Sequence, residues 1–381
     1  MVLLDRLYWT AYAAWHLRGQ GRYPYRSLAA IKRDQSRRVR NIVAYAYRSV
    51  PYYRETMDRL GLAPTDFLRA EDLAKLPMLE RGQIQRDPLY YVSKSQPLER
   101  CLLVRNSGST ARPCPFYFDP ATACMYAATN GRGRGVWAPL LDRGVGYRQT
   151  HIGSPRGSSR SFQSFYAQYI LAPPGVAVRR QRLSLLDPPE KNVPLINEFQ
   201  PDVIVTFGSY LAMLFHYLKQ SGRSMHRPKV LLYSGDGLPD SARRLIEDHF
   251  GLPIFGSYEA TESYNIGFEC EAHKGLHLNI DLCHTRVVDA EGHTLPDGES
   301  GHVVISNLLN RGTVLLNYRL GDVAAVLSEP CPCGRSLPLL SHLHGRSDDY
   351  VQLPSGRWVH PQVMPIMIRH CMEPWEHQVI Q

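Results

Sequence analysis

Five short stretches of this chain gather residue types that could hold a phosphorylated ligand. The first is Asn106-Ser107-Gly108-Ser109-Thr110-Ala111-Arg112-Pro113, which follows the apolar run Leu102-Leu103-Val104. Its small residues can turn backbone N–H groups and hydroxyls toward phosphate oxygens, and Arg112 adds a permanent charge. The second is Ser234-Gly235-Asp236-Gly237, at the end of the apolar run Val230-Leu231-Leu232-Tyr233. Loops at the carboxyl ends of strands are where α/β sheets collect ligands. The third is Gly256-Ser257-Tyr258-Glu259-Ala260-Thr261-Glu262-Ser263. Here an aromatic ring can stack on a flat base, Thr261 can touch phosphate, and Glu262 can hold a divalent ion. The fourth, Tyr318-Arg319-Leu320-Gly321-Asp322, offers a carboxylate that can accept two sugar hydroxyls. The fifth is Gly345-Arg346-Ser347-Asp348-Asp349-Tyr350, a charged turn where a linker could lie. Each stretch alone also reads as an ordinary turn or cap.

A second constellation has metal-ligand character. Cys270, His277 and the pair Cys331-x-Cys333 make a closed three-cysteine, one-histidine set suited to structural zinc. His273 competes with His277, and Cys283 is a further candidate. The alternative is reduced thiols packed as small apolar groups. Cys101, Cys114, Cys124 and Cys371 read as ordinary.

These residues need a scaffold. Residues 1–100 read as mostly helical, with helical spacing over Arg37–Tyr47 and a stop at Pro51-Tyr52-Tyr53. Two short strands flank the first loop. From residue 196, strands at Val203–Phe207, Val230–Tyr233 and Pro253–Phe255 alternate with helices at Tyr210–Gln220 and Asp240–Phe250, the last with Asp240 as its cap. Residues 277–328 turn strand-rich, with turns at Asp289–Gly292 and Asp297-Gly298. The fold class is α/β: mixed sheets flanked by helices plus a small β-rich subdomain. The division is a large domain over 1–344, with a helical entry at 1–100 and a β-rich part at about 277–344, then a hinge and an incomplete C-terminal domain at 345–381.

The 381 residues carry a formal charge of +9, which favours anionic ligands. Neither a Lys/Arg tract nor an aromatic-basic interleave marks a nucleic-acid groove. No apolar run approaches a membrane span. Eight cysteines without a secretory signal point to reduced thiols and a cytoplasmic setting. Residues 1–17 read as an amphipathic helix packed on its own domain, with a membrane or partner surface as the alternative.

Taken together, the order and separations of the five stretches resemble the adenylate-forming (AMP-binding) superfamily, and within it the phenylacetate–CoA ligase-like branch. Tyr45–Tyr53, Leu76-Pro77-Met78 and Cys331-Pro332-Cys333-Gly334-Arg335 carry the resemblance further, across nearly the whole chain. The resemblance implies that Ser107, Gly108, Ser109, Thr110 and Arg112 wrap the ATP phosphates. It implies that Gly235, Asp236 and Gly237 lie near adenine, that Tyr258 beside Glu259 stacks on it, and that Thr261 reaches the α-phosphate. Glu262 would coordinate Mg2+, Asp322 would hold the ribose, Arg346 would sit at the hinge near the nucleotide, and Asp348 would be the pivot. The expected chemistry is ATP-dependent activation of a carboxylic acid as an acyl-adenylate, leaving AMP after transfer to coenzyme A or an amine acceptor. Some members of this branch also carry a similar zinc set.

The chain departs from the family's pattern at Ala111, where glycine is usual, and at Asp236, where glutamate is usual. The family also places a catalytic lysine near its C-terminus. The last lysine here is Lys274, and 32 residues follow Asp349. That leads to an alternative expectation: a nucleotide-binding, catalytically weak subunit served by a partner protein, or an amide- or ester-forming synthetase. His360, Arg369 and His370 are not expected to replace the lysine. Residues 133–170 are expected to border the acyl pocket, where Arg143, Arg148, Arg156 and Arg160 read as a solvated cluster and His151 as structural.

Overall fold

The structure is a computed structural model that describes residues 2–105, 114–154, 157–173 and 175–343, with the backbone of 351–352 and 358–359. Four helices open the chain: α1 (Val2–Leu17), α2 (Leu28–Ser49), α3 (Pro51–Leu60) and α4 (Arg81–Arg86). The Ser27 hydroxyl caps α2 by accepting the Ala30 N–H, and Ile31, Gln35, Val39, Ile42, Val43 and Ala46 bury one face at helical spacing. Pro51 does more than stop α2. It is the first residue of α3, where its missing N–H would have no helical partner anyway.

A hairpin of β1 (Leu102–Arg105) and β2 (Pro115–Phe118) follows, then α5 (Pro120–Thr129), capped by Asp119, and α6 (Gly131–Trp137). The α/β half comprises β3 (Arg148–Gly153), α7 (Ser158–Tyr169), β4 (Arg179–Ser184), α8 (Pro189–Phe199), β5 (Val203–Thr206), α9 (Gly208–Ser221), β6 (Val230–Tyr233), α10 (Asp240–Arg244) and β7 (Ile254–Tyr258). Asp240 is not the cap of α10 but its first residue; Pro239 precedes it, and the helix widens into a π-turn over Leu245–His249. The short antiparallel strands β8 (Gly267–Glu269) and β9 (Leu276–Leu278) come next, then β10 (Cys283–Val288), β11 (Ser300–Asn307), β12 (Tyr318–Leu327) and β13 (Leu339–Leu340).

Hydrogen bonding joins eleven of these strands in the order β10-β11-β12-β13-β9-β8-β7-β6-β5-β3-β4. The strands of the 277–328 region therefore continue the α/β sheet. β7 is the seam: it runs parallel to β6 and antiparallel to β8. One core joins the helical entry, the hairpin and the antiparallel strands; a second lies under α8, α9 and the end of α10. The chain segments 351–352 and 358–359 pair as a further antiparallel ladder.

Candidate active site and metal centre

The parallel strands β5, β6 and β7 end on one edge, so the loops that follow them are neighbours. Tyr233 pairs with Gly256, which brings Ser234–Gly237 beside Ser257 and Tyr258. The Asp236 carboxylate accepts the Gly208 N–H at 2.6 Å and the Ser209 N–H at 3.3 Å, so it ties this loop to the start of α9. Burial raises its carboxyl above the ordinary range, against the pull of those bonds. Gly235 has φ +88°, and a Cβ there would lie 2.6 Å from the Phe207 ring.

Tyr258 closes β7, and its hydroxyl donates to Asp322 Oδ2 at 2.6 Å. Burial, then the Asp322 charge, pushes the phenol far up, so it stays a donor. Asp322 does not lie in a hairpin turn. It lies within β12, at a break in register with β11: His302 pairs with Val323 and Val304 with Arg319. Leu320, Gly321 and Asp322 thus oppose Val303 alone, and Gly321 takes φ +93°. Such a bulge bends a strand and re-aims its side chains. Here it accompanies the carboxylate's bond to Tyr258.

Glu262 lies on the same side of the seam. Its Oε1 accepts from the Tyr318 hydroxyl at 3.4 Å, and its backbone carbonyl accepts from Asn307 Nδ2 at 3.2 Å. Tyr258, Glu262 and Asp322, drawn from sequence positions some sixty apart, are therefore brought to one end of β12. Tyr258 is only 3% exposed, so in this structure its ring face is covered, and its visible role is to hold Asp322. Glu259 bonds to the Ser257 hydroxyl at 3.4 Å, and burial raises its carboxyl to about 7. Thr261 lies in the bend between Ala260 and Glu262.

Ser107, Gly108, Ser109, Thr110 and Arg112, like Arg346 and Asp348, lie outside the described residues. The first group's anchors are described: Arg105 pairs with Pro115, and the Cys114 thiol, raised to about 11 mainly by burial, also feels the charge of Glu262. Arg81 lies on the same side and tempers that rise. Among the described residues its Nε and Nη2 are buried without a hydrogen-bond partner. Leu79, two residues earlier, bridges to Tyr318, which fixes this segment against β12. Sequence reading missed Arg81, since one arginine at the start of a short helix has no spacing signature. It lies three residues after Leu76-Pro77-Met78, which carries part of the family resemblance.

Of the four arginines of 143–160, Arg156 lies outside the described residues, and Arg148 and Arg160 are engaged in different places. Arg148 stacks on Phe199, whereas Arg160 lines a cavity of about 470 Å³ between β1 and α7 with Arg100, Ser161 and Ser164. His151 is largely covered, and burial, then Arg182 and Arg180, lowers its pKa, so it is neutral near pH 7.

The Cys/His set does converge. The donor atoms of Cys270, His277, Cys331 and Cys333 all lie within 4.8 Å of one another. Cys270 Sγ is 3.5 Å from Cys331 Sγ, and Cys333 Sγ is 3.2 Å from His277 Nε2. Three thiols and one imidazole at these separations fit a tetrahedral ion with no open position. His277 Nδ1 meets the Leu337 carbonyl at 3.3 Å, which leaves Nε2 facing the sulfurs. The competitors are engaged elsewhere: His273 Nδ1 bonds Glu269 at 2.9 Å, and Cys283 is buried on β10.

No protein-family profile matches the chain. A phenylacetate–coenzyme A ligase of Pseudomonas putida is 27% identical over 336 residues, covering 85% of this chain and 72% of the relative. That of Thermus thermophilus is 26% identical over 328 residues, covering 83% and 70%. This is an adenylate-forming, phenylacetate–CoA ligase-like chain. In fold it resembles a 2-hydroxyisobutyryl-CoA ligase solved in the postadenylation state with 2-HIB-AMP, with a TM-score of 0.74, 18% identity, and coverage of 91% of this chain and 74% of that one. The same ligase in an open conformation with 2-HIB-AMP and CoA gives 0.72 at 17% identity, covering 91% and 76%. Among the described residues, no helix of this ligase-like chain is long and apolar enough to cross a membrane.

Proposed function

We propose that this chain uses ATP to convert a carboxylic acid into an acyl-adenylate and then passes the acyl group to coenzyme A. The observation that carries the reading is the convergence of Tyr258, Glu262 and Asp322 at one end of β12, on a chain similar to phenylacetate–CoA ligases. In the first step a carboxylate oxygen attacks the α-phosphorus in line, the bond to the β-phosphate oxygen breaks, and pyrophosphate leaves. In the second, a thiolate attacks the acyl carbon and AMP leaves with the electron pair of the broken C–O bond. Asp322, aimed by its bulge and by Tyr258, accepts the ribose hydroxyls. The backbone around Gly235–Gly237 borders adenine, with Asp236 fixing that loop. Ser107, Gly108, Ser109, Thr110 and Arg112 enclose the phosphates, and Arg81, with its Nε and Nη2 buried, serves the same charge. Thr261 hydrogen-bonds the α-phosphate. Glu262 is fitted to hold magnesium, which would offset phosphate charge. Arg346 would act at the hinge that follows the 1–344 unit.

Zinc held by Cys270, His277, Cys331 and Cys333 is part of this reading, as a staple between the β8–β9 connection and the loop before β13. Its role is structural, since every position is filled by protein. The setting is cytoplasmic, which keeps these thiols reduced.

The test is pyrophosphate release from ATP with a panel of carboxylic acids, aryl-acetic acids included, with and without coenzyme A. Release that depends on one acid class, followed by thioester formation, is expected. ATP binding without release for any acid would leave a nucleotide-binding subunit in place of an enzyme.

A further inference from the structure

The helix α1 (Val2–Leu17) has two faces, and the outward one is the more apolar. Its inner face docks on the domain: Ala13 is buried, and Trp9 and Tyr12 pack on the core. The Thr10 hydroxyl accepts the Leu171 N–H at 2.8 Å, and Arg6 donates to the Ala167 carbonyl. At 100° per residue, Leu3, Leu4, Leu7, Tyr8 and Trp15 fall on the opposite side. They are 64%, 72%, 50%, 60% and 67% exposed. Ala11 and Ala14, also exposed, complete the stripe, and Asp5 stands at its margin. Of sixteen large hydrophobic side chains exposed among the described residues, six lie on this one helix. Singly exposed apolar residues are ordinary, but a contiguous stripe marks an interaction surface.

Charge says what covers it. Residues 1–50 contain ten Lys and Arg against two Asp, a balance of +8 out of the chain's +9; Arg26 and Arg37 share Asp34, Arg38 faces Asp281 and Arg6 lies on the docked side, so the basic groups beside the stripe are Arg18 and Arg22. Arg18, in the turn after α1, lies over the Trp15 ring at 5.5 Å, on the outward side, and Arg22 is exposed in the next turn. A second copy docking on this stripe would bring two such basic segments together. An anionic lipid surface would attract them. At sixteen residues α1 is too short to span a bilayer, but it suits lying in the headgroup region with leucines inserted and Trp15 and Tyr8 at the boundary.

We infer that the outward face of α1 seats this protein on an anionic membrane surface, so that the acid it activates is met at or near the bilayer. The inference is independent of the reaction itself. Co-sedimentation of the full chain with phosphatidylcholine vesicles, with and without phosphatidylglycerol, at low and high salt, tests it. Binding should require phosphatidylglycerol and weaken with salt. Leu4→Glu with Leu7→Glu should lower binding by about tenfold or more through lost apolar burial. Arg18→Glu with Arg22→Glu should lower it by a comparable factor, about tenfold. Both variants should keep the parent's melting temperature and pyrophosphate release, since the replaced side chains point away from the domain. The inference is overturned if the folded parent binds neither vesicle, or if the leucine variant binds as the parent does. It is equally overturned if the parent binds neither vesicle and forms a dimer that Leu4→Glu with Leu7→Glu dissolves.

Discussion

Two carboxylates on neighbouring parts of the sheet are held in different ways. Asp281, before β10, faces Arg132 of α6 through paired bonds of 2.6 and 2.9 Å, and both side chains are almost wholly buried. Arg132 also donates to Asn279 Oδ1 and to Gln20 Oε1 and lies 4.0 Å over the Tyr23 ring. Burial alone would raise the Asp281 carboxyl, but the Arg132 charge and hydrogen bonds hold it below the ordinary range. At Asp322 a tyrosine hydroxyl donates to the carboxylate, on a bulge; Arg81, whose Nε and Nη2 are buried without a hydrogen-bond partner among the described residues, lies near Cys114. The first arrangement neutralises itself and locks the helical entry to the sheet. The second holds a carboxylate by a tyrosine hydroxyl on a strand bulge, beside the loops that follow β6 and β7.

The comparison is broken most forcefully at Arg132. Arg132→Met strands a buried carboxylate and should cost about 3–5 kcal/mol of stability, read as a lower urea midpoint at pH 7. Because the folded carboxyl is held below its unfolded value, the stability it contributes is present above the unfolded value. It drains away as pH falls toward the folded one, so the variant should lose less than the parent on acidification. Nucleotide affinity of the folded fraction should not change.

The Cys/His centre belongs with the locked side of the comparison. Purified protein should carry zinc at about one ion per chain. Cys333→Ser should lose that ion and lower the melting temperature, by metal analysis and thermal scanning. A stably folded, metal-free parent would remove the centre from the account.

On the Asp322 side, Arg81→Ala should raise the KM for ATP by about tenfold, the worth of one charge-assisted contact. Stability should be unchanged or slightly higher, because a buried group without a partner is removed. Glu259 gives the smallest effect. Its folded carboxyl is raised to about 7, so its favourable contribution exists below the unfolded value and is lost as pH climbs through 7. The stability of the parent relative to Glu259→Gln should fall between pH 5 and pH 8 by denaturant titration.

Much of the frame was legible in the chain. Buried strand runs at Val203–Thr206 and Val230–Tyr233 alternate with helices, and that alternation implies a parallel sheet with ligand loops at its edge. The Cys/His set was legible because ligand chemistry survives distance in sequence. Other features were hidden in tertiary detail. Leu320-Gly321-Asp322 looks like a turn from sequence, yet strand pairing on both sides makes it a bulge within β12. The helix α6 forms over Gly131-Arg132-Gly133-Arg134-Gly135 although glycine disfavours helix. A Cβ at residue 133 would press on Phe268 at 3.2 Å, so glycine allows the close approach that buries Arg132. The apolar stripe of α1 was visible as composition; which face docks depended on contacts with Leu171 and Ala167.

The central claim, that separate loops form one nucleotide cradle around Asp322, is tested most directly by calorimetric titration of ATP into the parent and into Asp322→Ala. The account predicts one ATP per chain, with affinity lower by about 10- to 100-fold in the variant at an unchanged melting temperature. Equal affinity in both proteins, or no binding by the folded parent, would contradict it.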